Sequence, residues 1–346
     1  MTDDLVEELL TGKHRALARV ITKIENRQPG YREIVSRLHE HTGTADVIGI
    51  TGSPGAGKST LVDKMAATYR ERGLTVGVIA IDPSSPFTGG AVLGDRIRMG
   101  SNVGDMDVFF RSMSARGSLG GLSTATTDAV KALDAFGKDK VIIETVGAGQ
   151  NEIDIVKMAD TVAVLVPPGS GDDVQMLKAG ILEIADVFAV NKADLTGADR
   201  TVQELREMIQ YRQGDVSVDA GHHGPGAGME DLDKPGEDAD GWLPPIVETV
   251  ANRDEGVDEF LEALADHREY IVSAGRLAER ERTRHREEIR TLLREDMSEL
   301  LEEEIDHRGG LDRYVERVRE RETDPYAVSD ELLGPLAECV RRTREE

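Results

Sequence analysis

The chain has 346 residues, which is enough for one large domain or two ordinary ones. Its 66 acidic residues outnumber its 42 basic residues and give a formal net charge of −24. Because so acidic a surface repels phosphate backbones and anionic lipids, we expect neither nucleic acid nor a membrane as a partner. Cys339 is the single cysteine, which excludes a disulfide framework within the chain, and no apolar run is long enough to cross a bilayer. We therefore expect a soluble, cytoplasmic protein.

The basic residues are unevenly divided, since only 11 of the 42 are lysine. Together with acidic residues along the whole chain, this composition is expected of a protein adapted to high salt, where carboxylates hold water and repulsion is screened. An ordinary acidic cytosolic protein has the same features, so composition leaves both interpretations open.

The first part of the chain predicts helices followed by an α/β domain. Residues 3–40 have helical periodicity, so we expect an N-terminal helical extension over 1–45. From Asp46 onward, short β-branched apolar runs alternate with amphipathic stretches, which predicts a mostly parallel central sheet flanked by helices, over 46–266. The predicted strands are 47–51, 76–81, 107–110, 140–144, 161–166, 186–191 and 244–250.

The last part of the chain predicts an acidic loop and a helical arm. Residues 213–241 are rich in Gly and Asp and indicate a solvated insert in the domain. Residues 267–346 form an Arg/Glu-rich helical region, broken near Gly309. Its apolar stripe needs cover by a partner helix, so we expect a homodimer built through this region. The stripe consists of Ile271, Leu277, Ile289, Leu292, Leu293 and Leu300.

A glycine-rich segment between the first predicted strand and the next helix has the pattern G-x-x-x-x-G-K-[ST]. Glycines let the backbone wrap phosphates, so that N–H groups at a helix N-terminus point at negative charge. A lysine at this position reaches the β- and γ-phosphates, and the following hydroxyl can bind Mg²⁺. The segment therefore predicts a nucleotide-binding loop. It consists of Gly52, Ser53, Pro54, Gly55, Ala56, Gly57, Lys58, Ser59 and Thr60.

The choice of base is indicated by an N-K-x-D motif at the end of a later strand, formed by Asn191, Lys192 and Asp194. A carboxylate there can accept from both N1–H and the 2-amino group of guanine, a pairing that adenine cannot make. Asn191 can contact the acceptor edge of the base, and the Lys192 stem can lie over its plane. The order of the two motifs predicts that the nucleotide is GTP.

Carboxylates at other strand ends are candidates for a metal site. Asp82 follows the second strand, Asp95 lies in the next loop, and Glu144 ends the strand 140–144. Converging carboxylates at one edge of a sheet are what Mg²⁺ with retained waters requires. With Ser59, they form the predicted metal ligands, and with Lys58 the predicted catalytic groups.

These motifs, in this order and spacing, resemble the MeaB/ArgK family, whose members are GTPases associated with methylmalonyl-CoA mutase and related adenosylcobalamin mutases. The resemblance covers essentially the whole chain and implies a P-loop fold with Glu in the third motif. It implies dimerisation through the helical tail, and the 213–241 insert is longer and more acidic than the family pattern. The motifs are GSPGAGKST, IDPSS, GGAVLGDRIRM, ETVGAGQNEIDI, PPGSGDDVQMLKAGILEIAD and NKAD.

The resemblance also implies roles for individual residues. Asp82, Asp95 and Glu144 would surround Mg²⁺ and the γ-phosphate. The loop 146–152, with Gly147 and Gln150, would be a switch that senses the γ-phosphate. A backbone amide of Val250, Ala251 or Asn252 would contact guanine O6. The segment 169–178 would couple nucleotide state to the partner, through Asp172, Gln175 and Lys178.

The function that the resemblance implies is a GTP-hydrolysing chaperone that gates cofactor loading, or protection, of an adenosylcobalamin-dependent acyl-CoA mutase. We expect slow intrinsic turnover, because no arginine finger is evident; Arg96 and Arg98 are candidates only. One alternative is a metallochaperone GTPase for a nickel or cobalt enzyme, against which the single cysteine argues. Another is an ATPase or kinase linked to transport of lysine, arginine or ornithine, against which the N-K-x-D motif argues.

Overall fold

The computed structural model describes residues 2–82, 105–114, 124–145, 155–169, 181–216 and 241–345. The predicted residues Asp95, Gly147, Gln150, Asp172, Gln175 and Lys178 lie outside these ranges. The chain divides into two compact units, Met1–Arg284 and His285–Glu346, and each is described by itself below. Within the described ranges, no helix combines the length and apolar character that a membrane span requires.

The elements follow one another as the apolar patterns predict. The helices are α1 (Thr2–Leu10), α2 (His14–Glu25), α3 (Tyr31–His39), α4 (Lys58–Glu71), α5 (Thr124–Ala135), α6 (Ile181–Ile184), α7 (Ala198–Val216), α8 (Val257–Ser273), α9 (Arg276–His307), α10 (Leu311–Arg319) and α11 (Pro325–Glu345). The strands are β1 (Asp46–Gly52), β2 (Val76–Asp82), β3 (Val108–Ser114), β4 (Lys140–Glu144), β5 (Thr161–Val166), β6 (Val187–Asn191) and β7 (Ile246–Thr249). The helix α7 runs to Val216, so residues 213–216, which the sequence assigns to a loop, are helical.

The seven strands form one sheet in the order β3-β2-β4-β1-β5-β6-β7. Every pairing between neighbours is parallel, which confirms the predicted fold class. Because the strands are parallel, all their carboxyl ends meet at one edge of the sheet, and β1 lies between β4 and β5 at its centre. The ends of β1, β4 and β6 therefore come together from distant parts of the sequence.

Both faces of the sheet are covered, as the continuous apolar strands require. One face packs against α1, α2, α3, α5 and α7, through side chains such as Leu17 and Phe188. The other face packs against α4 and α8, through side chains such as Met65 and Phe260. The N-terminal helices thus share a core with the sheet. The domain boundaries expected from the sequence stay a prediction.

Two buried aspartates lie with a buried histidine and three partly exposed arginines at the opposite edge of the sheet, where the parallel strands begin. We call this group the amino-edge cluster. Asp160, just before β5, accepts hydrogen bonds from Val47 N–H (3.1 Å), Arg268 Nη1 (2.7 Å) and Arg284 Nη1 (2.5 Å). Both carboxylate oxygens are therefore occupied. The cluster consists of Asp160, Asp186, His267, Arg268, Arg280 and Arg284.

Asp186, just before β6, is the second carboxylate of the amino-edge cluster. It accepts hydrogen bonds from Val162 N–H (2.8 Å) and Arg280 Nη2 (2.9 Å), and His267 Nε2 lies 3.2 Å from Oδ1. Burial disfavours its charged form, but the hydrogen bond with His267 and the charge of Arg280 outweigh this and lower the pKa of Asp186. The ring of Trp242 packs on His267 with centroids 5.0 Å apart, and its Nε1–H donates to the Asp186 carbonyl.

The second unit is helical and has a small core. Tyr314, Val328 and Leu332 are buried together, and Leu301 and Ile305 of α9 pack against them. By contrast, no residue of α9 is buried. Four apolar side chains spaced along one face of this helix are each at least half exposed, namely Ile289, Leu293, Met297 and Leu300. Ile271, which the sequence places in this stripe, is instead buried in the first unit.

Candidate nucleotide-binding site

The predicted phosphate loop runs from the end of β1 to the start of α4, as the motif requires. Two of its glycines cannot be replaced without displacing a neighbour. A Cβ on Gly52 (φ +133°) would lie 2.1 Å from the Leu165 carbonyl oxygen, and one on Gly57 (φ +92°) would lie 2.4 Å from Nδ2 of Asn191. The left-handed backbone and the close neighbours explain why these positions need glycine.

Lys58, the first residue of α4, is buried beneath the phosphate loop. Its Nζ donates to the carbonyl oxygens of Gly52 (2.7 Å) and Ser53 (3.0 Å). The ammonium therefore lies at a helix N-terminus, where backbone N–H groups and the helix dipole already favour an anion. This arrangement suits the binding of phosphate.

Ser59 and Glu144 meet at the carboxyl ends of neighbouring strands. The Ser59 hydroxyl donates to Glu144 Oε1 at 2.6 Å, and Glu144 is nearly buried at the end of β4. A hydroxyl and a carboxylate are the hard oxygen donors that Mg²⁺ prefers, so this pair fits a magnesium site. Asp82 ends β2 at the same edge of the sheet, two strands from β1. Its side chain lies outside the described part of the structure.

Two threonine hydroxyls link the strands that carry this site, and the sequence did not single them out. Thr145 Oγ1 donates to Thr51 Oγ1 at 2.8 Å, and both side chains are buried. Thr145 N–H also donates to the Ile50 carbonyl, which extends the β1–β4 pairing by one residue. The backbone that leaves β4 after Glu144 is therefore fixed against the end of β1, directly before the phosphate loop. The only available signal was a threonine near the end of each of two apolar runs.

Asn191 joins the phosphate loop to the segment after β7. Its Nδ2 donates to the Ala56 carbonyl at 2.8 Å, and its Oδ1 accepts from Thr249 Oγ1 (3.1 Å) and Ala251 N–H (3.2 Å). The side chain is buried, so all of these bonds are shielded from water. The Asn of the N-K-x-D motif is thus a brace between the parts of the site, a role that spacing alone did not predict.

The other two residues of this motif lie at the surface of the site. Lys192 has a left-handed backbone (φ +64°), and its Nζ donates to the Gly55 carbonyl at 2.8 Å. Its stem therefore reaches from the end of β6 to the phosphate loop. Asp194 lies 3.2 Å from Nη2 of Arg253, and its side chain is 27% exposed. The carboxylate is accessible to a ligand from one side.

The segment 250–252 follows β7 at the same edge. Val250 N–H donates to the Glu255 carbonyl at 2.9 Å, and Ala251 N–H donates to Asn191. Two of the three predicted amides are therefore used within the protein. The structure places the phosphate loop, the N-K-x-D motif and this segment together. Parallel β-topology, a phosphate loop and an N-K-x-D motif at one edge define a P-loop nucleotide-binding protein.

Comparison with known proteins gives the family. Residues 17–306 match the family described as methylmalonyl Co-A mutase-associated GTPase MeaB, and the chain belongs to that family. A protein of Pyrococcus abyssi whose name designates it a GTPase is 47% identical, over 97% of each chain. The GTPase ArgK of Escherichia coli is 31% identical over 95% of this chain and 92% of its own. The protein is accordingly a GTPase that binds guanine nucleotides.

A mitochondrial relative and a solved structure extend the comparison. The methylmalonic aciduria type A homolog of Mus musculus is 29% identical, over 96% of this chain and 78% of its own. The crystal structure of a LAO/AO transport system kinase superposes with a TM-score of 0.64 at 22% identity, over 97% of each chain. That structure supports the fold described above.

Proposed function

We propose that this GTPase is a cytoplasmic G-protein chaperone, which gates the loading of cofactor into an adenosylcobalamin-dependent acyl-CoA mutase or protects that enzyme. Membership of a family named for its association with methylmalonyl-CoA mutase supports the choice of partner. The observation that supports a nucleotide switch is the Asn191 brace. Its side chain hydrogen-bonds to the phosphate loop at Ala56 and to the segment after β7 at Ala251. Base and phosphate contacts are thereby coupled within one site.

In this proposal, Asp194 reads the base. Its two oxygens accept from N1–H and the 2-amino group of guanine, while the Lys192 stem lies beside the ring. Because the amides of Val250 and Ala251 are used within the protein, Asn252 N–H is the donor that we assign to O6. Adenine would leave the carboxylate without these donors, which accounts for discrimination between the bases.

Phosphate binding is assigned to the phosphate loop and Lys58. The Ala56 carbonyl is held by Asn191, so the trans peptide directs Gly57 N–H to the opposite side, where an anion can bind. Lys58 lies close enough to transfer its hydrogen bonds from the Gly52 and Ser53 carbonyls to phosphate oxygens. It would stabilise the charge that develops on these oxygens during hydrolysis.

Ser59 and Glu144 would hold Mg²⁺, and Asp82 and Asp95 are the further carboxylates that we assign to this site. When bound, the ion supplies charge neutralisation at the β- and γ-phosphate oxygens. Glu144 accepts the Ser59 hydroxyl at 2.6 Å, so the two oxygen donors lie side by side. We propose slow intrinsic turnover, because no arginine finger is evident from the sequence, in which Arg96 and Arg98 are candidates only.

Sensing of the γ-phosphate and coupling to the partner are assigned to two predicted switches, in that order. The first contains Gly147 and Gln150, and it follows Thr145, which is fixed against β1. Loss of the γ-phosphate would release this segment. The second contains Asp172, Gln175 and Lys178, and it follows Gly169, whose N–H donates to Thr201 Oγ1.

The test of the proposal is GTP hydrolysis with and without each candidate acyl-CoA mutase from the same organism. We expect the mutase to accelerate phosphate release and to bind more tightly to one nucleotide state than to the other. Lys178→Ala should retain basal hydrolysis and lose the acceleration. If wild-type protein neither binds nor responds to any of these mutases, the chaperone role is wrong. If Lys178→Ala responds as wild type does, the second switch is wrong.

We also propose that the protein is a homodimer formed through α9. The exposed stripe at Ile289, Leu293, Met297 and Leu300 supports this, because a second copy would remove it from water. A dimer carries −48, twice the −24 of one chain, and this repulsion is screened beyond about 3 Å in molar salt but only beyond about 30 Å at 0.01 M. Light scattering should show association strengthening as KCl rises. A monomer mass at every KCl concentration would exclude the dimer. A dimer that dissociates as KCl rises would contradict the interpretation of the composition as salt adaptation.

A further inference from the structure

Arg253 lies beside the carboxylate that we assign to the guanine base. Its Nη2 is 3.2 Å from Oδ2 of Asp194, and its own side chain is 56% exposed. We propose that Arg253 is a positioning residue for base recognition, which holds the Asp194 carboxylate in the plane that guanine requires. This inference rests on the proposed reading of guanine by Asp194.

The backbone around Arg253 is fixed by contacts with both sides of the site. Arg253 ends the short 3-10 turn Ala251–Arg253, and its N–H donates to the Val250 carbonyl at 2.8 Å. The first amide of that turn donates to Asn191, three residues before Asp194. The next residue, Asp254, has φ +61° and pairs with Lys64 of α4 at 2.9 Å. The turn that carries Arg253 is therefore held to the motif that carries Asp194.

The chemistry of the pair is compatible with a bound base. An ionised carboxylate has about four acceptor positions on its two oxygens, and guanine uses only two of them. Arg253 can therefore keep its contact with Oδ2 while N1–H and the 2-amino group bind. Rotation about χ2 of an aspartate is broad, so without Arg253 the carboxylate samples planes that match neither donor well.

The experiment compares GDP with IDP, which lacks the 2-amino group. In Arg253→Ala, we expect GDP affinity to fall about threefold to tenfold, as for removal of a partly exposed charged contact. IDP affinity should fall less, because only one base contact depends on the plane of the carboxylate. The preference for GDP over IDP should therefore decrease. Arg253→Lys keeps the charge without the planar fork and should recover part of that preference.

Arg72→Ala is the matched control. Arg72 pairs with Asp258 at 2.7 Å and is also partly exposed, but it lies away from Asp194 in sequence and in its contacts. We expect its preference for GDP over IDP to equal that of wild type. Measuring the ratio by titration calorimetry separates positioning from a general loss of stability, which would lower both affinities equally.

Three results would overturn the inference. The first is an unchanged ratio of GDP affinity to IDP affinity in Arg253→Ala. The second is a rise in the GDP affinity of Arg253→Ala, which would mean that Arg253 competes with the base. The third is an equal change of the ratio in Arg72→Ala. A wild-type protein without preference for GDP over ADP would instead contradict the reading of guanine itself. The two failures are therefore distinguishable.

Discussion

At the carboxyl edge of the sheet, side chains of the nucleotide site donate mainly to backbone carbonyls of one loop. Lys58, Asn191 and Lys192 bind the carbonyls of residues 52, 53, 55 and 56. At the amino edge, the carboxylates of Asp160 and Asp186 are instead occupied by charged side chains and backbone N–H groups. A ligand can compete for the side chains that bind an accessible loop. The buried carboxylates of the amino edge, by contrast, already have partners on both oxygens. The strand β6 therefore begins beside these ion pairs and ends in the binding site.

The largest effect that we expect at the carboxyl edge is that of Lys58→Ala. Loss of the ammonium should reduce GTP hydrolysis about 1,000-fold, the upper range for removing one group that stabilises transition-state charge. Phosphate release at saturating GTP measures this. Lys64→Ala, which removes an exposed partner of Asp254, should remain within about threefold of wild type because exposed pairs contribute little. Equal losses of GTP hydrolysis in the two variants would show that Lys58 has no specific role in catalysis.

At the amino edge, Asp186→Asn should lower the free energy of unfolding without changing nucleotide binding. Removing the buried Asp186 carboxylate should cost about 3 kcal/mol, because Arg280 loses its ion-pair partner and His267 loses a partner 3.2 Å away. Urea unfolding can be followed by the emission of Trp242, the single tryptophan, whose ring contacts His267. GDP affinity should stay near the wild-type value. A large loss of GDP affinity in protein that is still folded would contradict the separation of the two edges.

The stability difference between wild type and Asp186→Asn should depend on pH in a defined direction. The pKa of Asp186 is lower in the folded protein than in the unfolded chain, so its contribution to stability is present above the unfolded pKa of about 4. It is lost as the pH falls through the folded value. The difference in unfolding free energy between wild type and Asp186→Asn should therefore be constant near neutral pH and narrow below about pH 4. A difference that widens in acid would reverse the sign of the proposed interaction.

A smaller effect is expected from Gly57→Ala, which tests the brace. The left-handed backbone costs about 1–2 kcal/mol for an L-residue, and the new Cβ would displace Nδ2 of Asn191. GDP affinity should therefore fall. In Gly55→Ala the backbone is also left-handed (φ +78°), but no atom of the described residues lies within 4 Å of the new Cβ. Comparable affinity losses in the two variants, measured by titration, would assign the effect to backbone strain alone.

The sequence predicted the carboxyl edge better than the amino edge, for a physical reason. The phosphate loop is local, because nine consecutive residues between a strand and a helix carry it, and N-K-x-D is local too. Apolar runs likewise predicted all seven strands, since a parallel sheet buried on both faces excludes polar residues. The amino-edge pairs join residues 81 to 124 positions apart, from Asp186 with His267 to Asp160 with Arg284. No local pattern specifies such partners.

Within the nucleotide site, too, local patterns could be predicted from the sequence, whereas contacts between distant segments could not. The residue types of Ser59 and Glu144 indicated a metal site, and the topology brought them together. The brace at Asn191 and the pair of Thr51 with Thr145 depend on how neighbouring strand ends face each other. Arg253 lies in the segment after β7, and its contact with Asp194 needs the three-dimensional position of that turn. Spacing does not contain this information.

The central claim is that Asp194 reads guanine, and the most direct test is the base preference of Asp194→Asn. An amide offers one acceptor and one donor in place of two acceptors, so it matches xanthine, which carries a carbonyl where guanine has its 2-amino group. Titration calorimetry with GDP and XDP should show GDP binding weakened by about 2–4 kcal/mol and XDP binding strengthened. GDP affinity equal to that of wild type, with no gain for XDP, would contradict the account.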